Sequence, residues 1–265
     1  MVKAVVTGGM GRMGQMFVRH LVDNPKTLVY GAVERPDHPH IGEDIGTLVL
    51  GRPIDAAIAD DLLDVVIGAN AVIDFTTPEN SIACAKVCAD RKIPYVCGTT
   101  GMDDAQKEKF LDIARETATM FAPNFSVGVN VLLGLARKAA FALGESFDIE
   151  IVEAHHRHKI DAPSGTALAL AEAVRQGRGL SEDDYCFGRK GQVGERYEKE
   201  IGIHAVRGGD VVGEHEVHFL GDSEAVMLRH RASSREAFVR GAVRAAAWLQ
   251  GKPAGLYTMA DMLDL

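Results

Sequence analysis

The fold is decided by Lys3-Ala4-Val5-Val6-Thr7-Gly8-Gly9-Met10-Gly11-Arg12-Met13-Gly14. A short apolar run, a glycine cluster and an amphipathic stretch through Phe17, Val18 and Leu21 predict a strand, a tight turn and a helix. Gly9 to Gly14 fits G-x-G-x-x-G, and a strand before it with a helix after it is the context that gives this pattern meaning. Such glycines let the backbone turn sharply and approach a pyrophosphate, which then sits on the helix N-terminus. A second strand, Leu28 to Val33, ends at Glu34, about twenty residues past Gly14, where a dinucleotide fold places an acid against the adenosine ribose. Arg35 follows directly and can accept a 2′-phosphate, so NADH and NADPH are both open.

Outward from this unit the chain first loses its pattern. Pro36 to Asp64 is rich in Pro, His, Asp and Gly, reads as irregular, and holds one weak strand around Ile54 to Ile58. Alternation then resumes. The runs Ala71 to Phe75, Ile93 to Cys97 and Thr119 to Ala122 read as buried strands. A helix start at Thr76 to Asn80 and a helix from Asp103 to Thr117 separate them. Strands alternating with helices predict an α/β fold, a Rossmann-like doubly wound parallel sheet. Ligands of such sheets bind beyond the carboxyl ends of the strands. Gly98-Thr99-Thr100 and Ala122-Pro123-Asn124-Phe125 are therefore candidates to line the nicotinamide end of the cofactor, beside Gly8 to Met13, Glu34 and Arg35.

From Val127 the pattern changes. Asn130 to Leu143 reads as an apolar helix, and Phe147 to Glu153 alternates with period two, as a half-buried strand does. That strand delivers His155-His156-Arg157-His158-Lys159, five consecutive residues able to carry positive charge in a chain of formal net charge -8. Asp161-Ala162-Pro163-Ser164-Gly165-Thr166 follows as a helix start ahead of Ala167 to Gln176. Free N–H groups at a helix N-terminus favour anions, as do the basic side chains, so the two together predict a pocket for a small carboxylate. His155 and Lys159 are the candidate proton donors, and His156, Ser164, Gly165 and Thr166 the candidate carboxylate ligands. A metal is not expected: neighbouring histidines on a strand point to opposite faces, and Arg157 and Lys159 would repel a cation.

After a polar loop, Gly177 to Glu200, three strands follow at Ile201 to Val206, Gly213 to Leu220 and Ala225 to Arg231, separated by Gly208-Gly209-Asp210 and Gly221-Asp222-Ser223. Consecutive strands with short turns predict an open antiparallel or mixed sheet in a second, α+β domain. Ser233-Ser234 caps a last helix, Arg235 to Leu249, and the tail from Gly255 to Leu263 is apolar enough to pack. The domains expected are 1–126 with 234–265 for the dinucleotide and 127–233 for substrate binding and oligomerisation.

Composition narrows the function. At 265 residues, 46% hydrophobic and 25% charged, the chain is ordinary for a globular protein, and its acidic balance argues against a nucleic-acid partner. No apolar run of about 18 residues predicts a membrane span, and the N-terminus runs straight into a strand. The four cysteines form no CxxC pair, and Cys84 and Cys88 lie one helical turn apart, as small core side chains do. A reduced, cytoplasmic protein is expected.

Several of these stretches together resemble the 4-hydroxy-tetrahydrodipicolinate reductase (dihydrodipicolinate reductase) family. They are Gly8-x-x-Gly11-Arg12-Met13-Gly14, Gly98-Thr99-Thr100-Gly101, Asn124-Phe125-Ser126-Val127-Gly128-Val129-Asn130 and, most specific, Glu153-Ala154-His155-His156-Arg157-His158-Lys159-x-Asp161-Ala162-Pro163-Ser164-Gly165-Thr166. Arg207-x-Gly209-Asp210-Val211-Val212-Gly213-Glu214-His215 and the C-terminal tail extend the resemblance end to end. It implies NADH- or NADPH-dependent reduction of a cyclic dicarboxylate to tetrahydrodipicolinate in lysine (diaminopimelate) biosynthesis. His155 is implied as proton donor and acceptor and Lys159 as proton donor. His156 and the backbone at Gly165-Thr166 would bind carboxylates. Gly8 to Met13, Glu34, Arg35, Gly98 to Thr100 and Ala122 to Phe125 would contact the cofactor. A homotetramer assembled through the second domain's sheet is also implied. The unusual Pro36-Asp37-His38-Pro39-His40 loop departs from the family beside the ribose acid, and leaves the NADH-to-NADPH balance open.

Two other readings compete. Another NAD(P)-linked dehydrogenase of a small carboxylate, if of the acylating type, needs a nucleophilic Cys in the second domain, where only Cys186 is available. A nucleotide-sensing regulator needs a basic DNA-reading helix, and no such helix-turn-helix is apparent.

Overall fold

Strand and helix alternate through the first half of the chain, in a computed structural model that describes residues 1–265. The order is β1 (Val2–Thr7), α1 (Arg12–Asp23), β2 (Thr27–Val33), α2 (Ile45–Leu50), β3 (Ile58–Ala59), α3 (Leu62–Val65), β4 (Ala71–Asp74), α4 (Pro78–Arg91), β5 (Tyr95–Cys97), α5 (Asp104–Ala114) and β6 (Ala118–Phe121). Then come α6 (Val127–Leu143), β7 (Asp148–His155), α7 (Gly165–Arg178), β8 (Tyr185–Phe187), β9 (Ile201–Arg207), β10 (Gly213–Leu220) and β11 (Ala225–Ala232). The chain closes with α8 (Glu236–Trp248), β12 (Gly255–Tyr257) and α9 (Met259–Leu263). Two compact units result: Met1–Ser126 with Glu236–Asp264, and Val127–Arg235 with Leu265.

The first unit is a seven-stranded sheet in the order β12-β6-β5-β4-β1-β2-β3, every pair parallel. Reversal of strand order between β1 and β4 is the doubly wound topology, and it explains why the strands read as continuous apolar runs: both faces are covered. All four residues of β4 are buried, and Val5, Val72, Tyr95 and Cys97 share a core with Cys84, Cys88 and Phe110. Local signals set the helix starts. Thr77 accepts from the Asn80 N–H with Pro78 in the first turn, and Asp103 with Gln106 forms a capping box.

The second unit is a five-stranded mixed sheet in the order β11-β10-β7-β9-β8. The pairs β11–β10 and β10–β7 are antiparallel, whereas β7–β9 and β8–β9 are parallel. One face packs on α6 and α7 through Leu132, Ala136, Ile149, Ile151, Leu170, Val217 and Phe219. Fully burying each larger side chain contributes roughly 1.5–3 kcal/mol. By length and composition, Val127–Ser146 is long and apolar enough to cross a membrane, but one side of it lies in this core and Arg137 and Lys138 interrupt it.

Four sequence expectations change. Pro36 to Asp64 is not irregular throughout: it holds α2 and α3, and the strand within it is only Ile58–Ala59. The organiser is Asp44, whose carboxylate accepts the N–H groups of Thr47, Ile54 and Ala56. A six-residue helix fixed by one side chain leaves no periodic signal. The polar loop contains β8 at a sheet edge, where Arg189 and Arg196 tie the following segment to Glu150. Burial pushes the Glu150 carboxyl up, but Arg189, His204 and Arg196 outweigh it and hold the group at about 2. β9 does not pair with β10, because β7 lies between them. The tail does more than pack: β12 extends the first sheet beside β6.

Candidate active site

Parallel strands end on one edge, and that edge gathers the candidate cofactor residues of the first unit. Beyond β1, Gly8 takes the left-handed conformation (φ +62°) and its N–H donates to the Val33 carbonyl at 2.8 Å, tying the turn to the end of β2. At Gly14 a Cβ would lie 2.1 Å from the Gly8 oxygen, so only glycine lets α1 pack against its own turn. Gly11 caps α1 without a side-chain bond, and no acid stands in the first turn. The N-terminal N–H groups are thus left to an anion, and a dinucleotide pyrophosphate fits.

Glu34 follows β2, and its Oε1 accepts the Met10 N–H at 2.8 Å, bringing the expected ribose acid onto the glycine turn. Arg35 is exposed and its Nε pairs with Asp37 at 3.0 Å. Gly98, Thr99 and Thr100 follow β5, and Ala122 to Phe125 follow β6. Of these, the Phe125 ring is buried against Phe75 (centroids 5.3 Å apart), and Gly98 has Phe75 where a Cβ would stand. Asn124 Oδ1 accepts the Ser126 N–H at 2.8 Å.

Behind this edge lies a hub absent from the sequence reading. Asp74 has no exposed surface, and its Oδ1 accepts hydroxyl bonds from Thr7 (2.7 Å) and Thr76 (2.6 Å) while Oδ2 accepts from Ser81 (2.5 Å) and Tyr95 (2.6 Å). Thr99 joins the hub: its hydroxyl lies 2.7 Å from the Ser81 hydroxyl and accepts the Thr76 N–H at 3.0 Å. One buried carboxylate thus ties together the ends of β1 and β4 and the turn after β5.

The second unit gathers the basic stretch at the end of β7. Glu153 is fully buried, and its carboxylate accepts from His155 Nδ1 at 2.6 Å, from both terminal nitrogens of Arg207 at 2.8 Å, and from the Ser164 N–H at 3.0 Å. Burial works to raise the Glu153 carboxyl, but Arg207, His155 and the Ser164 N–H outweigh it and keep the group below the ordinary carboxylate range. Burial lowers His155, opposed by Glu153 and assisted by Lys159 and Arg207. Lys159 pairs with Asp161 at 2.8 Å, and His156 has its Nδ1 buried with no hydrogen-bond partner. Ser164 caps α7 by accepting the Ala167 N–H, while Gly165 is exposed with open space where a Cβ would be. Thr166 follows in the first turn. His215, on β10, shares a hydrogen bond of 3.0 Å with the Ser164 hydroxyl and lies edge-on to His155 with centroids 5.1 Å apart. No group of three His, Cys, Asp or Glu side chains is placed to hold a metal.

Glu153, Arg207 and His215 carry no role in the sequence reading. Strand register unites them: His215 is the partner of Glu153 across β10–β7, and Arg207 that of His155 across β7–β9. The pairing of β7 with β9 was the missing signal.

Comparison with known proteins identifies the family and the fold. The chain is 50% identical over 266 residues to a protein of Anaeromyxobacter dehalogenans (strain 2CP-1) called 4-hydroxy-tetrahydrodipicolinate reductase, covering 100% of this chain and 98% of the relative. A protein of Ruegeria pomeroyi with the same name is 48% identical over 262 residues, covering 98% of this chain and 97% of the relative. The fold matches a dipicolinate-bound dihydrodipicolinate reductase from Paenisporosarcina sp. TG-14 with a TM-score of 0.78 at 24% identity, over 99% of both chains. It also matches a myo-inositol dehydrogenase from Corynebacterium glutamicum with a TM-score of 0.59 at 13% identity, over 96% of this chain and 90% of that one. With the N-terminal model of dihydrodipicolinate reductase matching residues 2–125 and the C-terminal model matching 128–263, the chain belongs to the dihydrodipicolinate reductase family.

Proposed function

We propose that the protein reduces 4-hydroxy-tetrahydrodipicolinate to tetrahydrodipicolinate with NADH or NADPH, in lysine (diaminopimelate) biosynthesis. The observation that carries the substrate assignment is that Glu153 joins His155, which Lys159 acts on electrostatically, to the Ser164 N–H at the uncrowded N-terminal turn of α7. A helix start and basic side chains bind carboxylates, and an imidazole beside an ammonium supplies or accepts a proton. His156, with its unpartnered Nδ1, and the Gly165-Thr166 backbone hold the substrate carboxylates, while Lys159 and His155 handle the proton.

In the first unit, the Gly8–Met13 turn and the α1 N-terminus would hold the cofactor pyrophosphate, and Glu34 the adenosine ribose. Gly98 to Thr100 and Ala122 to Phe125 would border the nicotinamide. The bound nucleotide supplies a hydride. Arg35 would meet a 2′-phosphate only by exchanging its ion pair with Asp37. The residues 1–126 with 234–265 serve as the cofactor domain, and 127–233 as the domain for substrate and assembly. A homotetramer built on the outer face of the second sheet fits Val206 and Met227, which stand 51% and 64% exposed there. Free cysteines suit a reducing cytoplasm.

The acylating-dehydrogenase reading loses its nucleophile. Cys186 bonds the Gly188 carbonyl, and burial pushes its thiol up from the ordinary value.

The test follows NADH and NADPH absorbance while the preceding synthase makes the substrate from pyruvate and aspartate semialdehyde. Oxidation that depends on the synthase, and that falls about 10²–10⁴-fold in folded H155A and K159A, is expected. No oxidation by folded protein that binds NADH would break the substrate assignment. Near-normal turnover in the variants would remove both residues from catalysis.

A further inference from the structure

A neutral imidazole carries its proton on one nitrogen only, and the bond made by the other nitrogen decides which. For His155 that bond is to Glu153. This carboxylate has no exposed surface and accepts four N–H bonds, two on each oxygen: His155 Nδ1 and Arg207 Nη1 on Oε2, Ser164 N and Arg207 Nη2 on Oε1. A carboxylate so surrounded by donors is ionised and can only accept. His155 Nδ1 must therefore be the donor, which leaves Nε2 bare. Nε2 faces Gly213, where a Cβ would stand only 3.2 Å away, so a glycine at that position of β10 keeps the nitrogen uncrowded.

The groups around His155 are unbalanced without Glu153. Lys159 from the loop after β7, Arg207 from β9 and His215 from β10 all oppose a positive charge on the ring, and Glu153 is the carboxylate that favours it. The same carboxylate holds the Ser164 N–H, and Ser164 caps α7. Imidazole and helix N-terminus are thereby fixed to one group.

We propose that Glu153 is the positioning residue of the proton-transfer step: it holds His155 with Nδ1 as donor, presents Nε2 as the nitrogen that exchanges a proton with the substrate, and locks that ring to the carboxylate-binding turn of α7. This rests on the reading of His155 given above, and deepens it.

Two measurements test it. In the wild-type protein, ¹⁵N shifts of the His155 ring at a pH where it is neutral are expected to show Nδ1 protonated and Nε2 bare; the opposite tautomer overturns the proposal whether or not any variant folds. In folded E153Q, kcat is expected to fall about a hundredfold. The limb of the pH profile set by His155 should move about one to three pH units lower, since the opposite charge beside the ring is gone. A wild-type kcat with an unmoved limb overturns the proposal. The two readings fail separately: inactive H155A beside an unaffected E153Q would sink only the role of Glu153, whereas active H155A would sink the catalytic reading of His155 itself.

Discussion

Replacing Asp74 by Ala removes the acceptor from four hydroxyls at once. Thr7, Thr76, Ser81 and Tyr95 reach the carboxylate at 2.5–2.7 Å, and Asp74 is 0% exposed. A hydrogen bond to a charged group contributes about 1.5–3 kcal/mol, but four such losses do not add. Thr7 can still use the Ile73 carbonyl at 3.4 Å, and Tyr95 the Ser81 carbonyl at 3.2 Å. The Ser81 hydroxyl can turn to Thr99 Oγ1 at 2.7 Å, whereas Thr76 only accepts from Asn80 Nδ2 at 2.8 Å and its O–H is left with no acceptor. That leaves the Thr76 hydroxyl and the lost carboxylate volume as the uncompensated part, so D74A is expected to cost roughly 3–4 kcal/mol. D74N should cost nearly as much, because its amide turns two acceptor sites into donors facing hydroxyls. Urea unfolding followed by the fluorescence of Trp248, the chain's one tryptophan, reports on the unit that holds the hub. A second readout is NADH affinity, which should weaken at least tenfold, since Thr76 and Thr99 lie at the strand ends proposed to border the cofactor and lose their anchor. A cost below about 1 kcal/mol with NADH affinity unchanged would refute the view that this carboxylate organises the strand ends.

Two further outcomes are expected. Burial, reinforced by His155, His230 and Lys159 against Glu153, pushes His215 down to about 4 from 6.5. The unfolded chain therefore binds more protons between these values, and the stability is present above pH 6.5 and lost as pH falls towards 4, by roughly 3 kcal/mol. H215N should flatten that pH dependence of the urea midpoint, and equal slopes in the two proteins would show that His215 is not its source. Arg35→Ser should raise the Kd for NADPH about tenfold while changing that for NADH less than threefold; fluorescence titration giving equal effects would remove Arg35 from 2′-phosphate recognition.

What was legible in the sequence was local. The capping residues Thr77, Asp103 and Ser164 make their bonds within a short span, and the glycine turn and Glu34, although they bond across β1–α1–β2, stand at the spacing such a unit fixes. The basic stretch was legible for another reason: its charge runs against that of the whole chain. Asp74 was illegible because an acid at a strand end looks like any strand end, and its four donors arrive from β1, β5, α4 and the turn after β4. Asp44 hid in the same way among the residues of an irregular-looking loop.

Glu153 differs, because its signal lies in the alternation of β7 itself. Period two places Ile149, Ile151 and Glu153 on one face of β7, and the first two are core residues at 2% and 0% exposure. An acid in the third position of that series continues the buried face. Since a lone buried carboxylate costs several kcal/mol, its presence there demanded a set of donors, at least one of them cationic. The motif offered His155 within reach, two residues away on the same strand. Arg207 came within reach only because β9 lies beside β7 rather than beside β10, a pairing that no turn between consecutive strands could reveal. The buried acid was thus a demand visible in one strand, and the topology supplied the cation that met it.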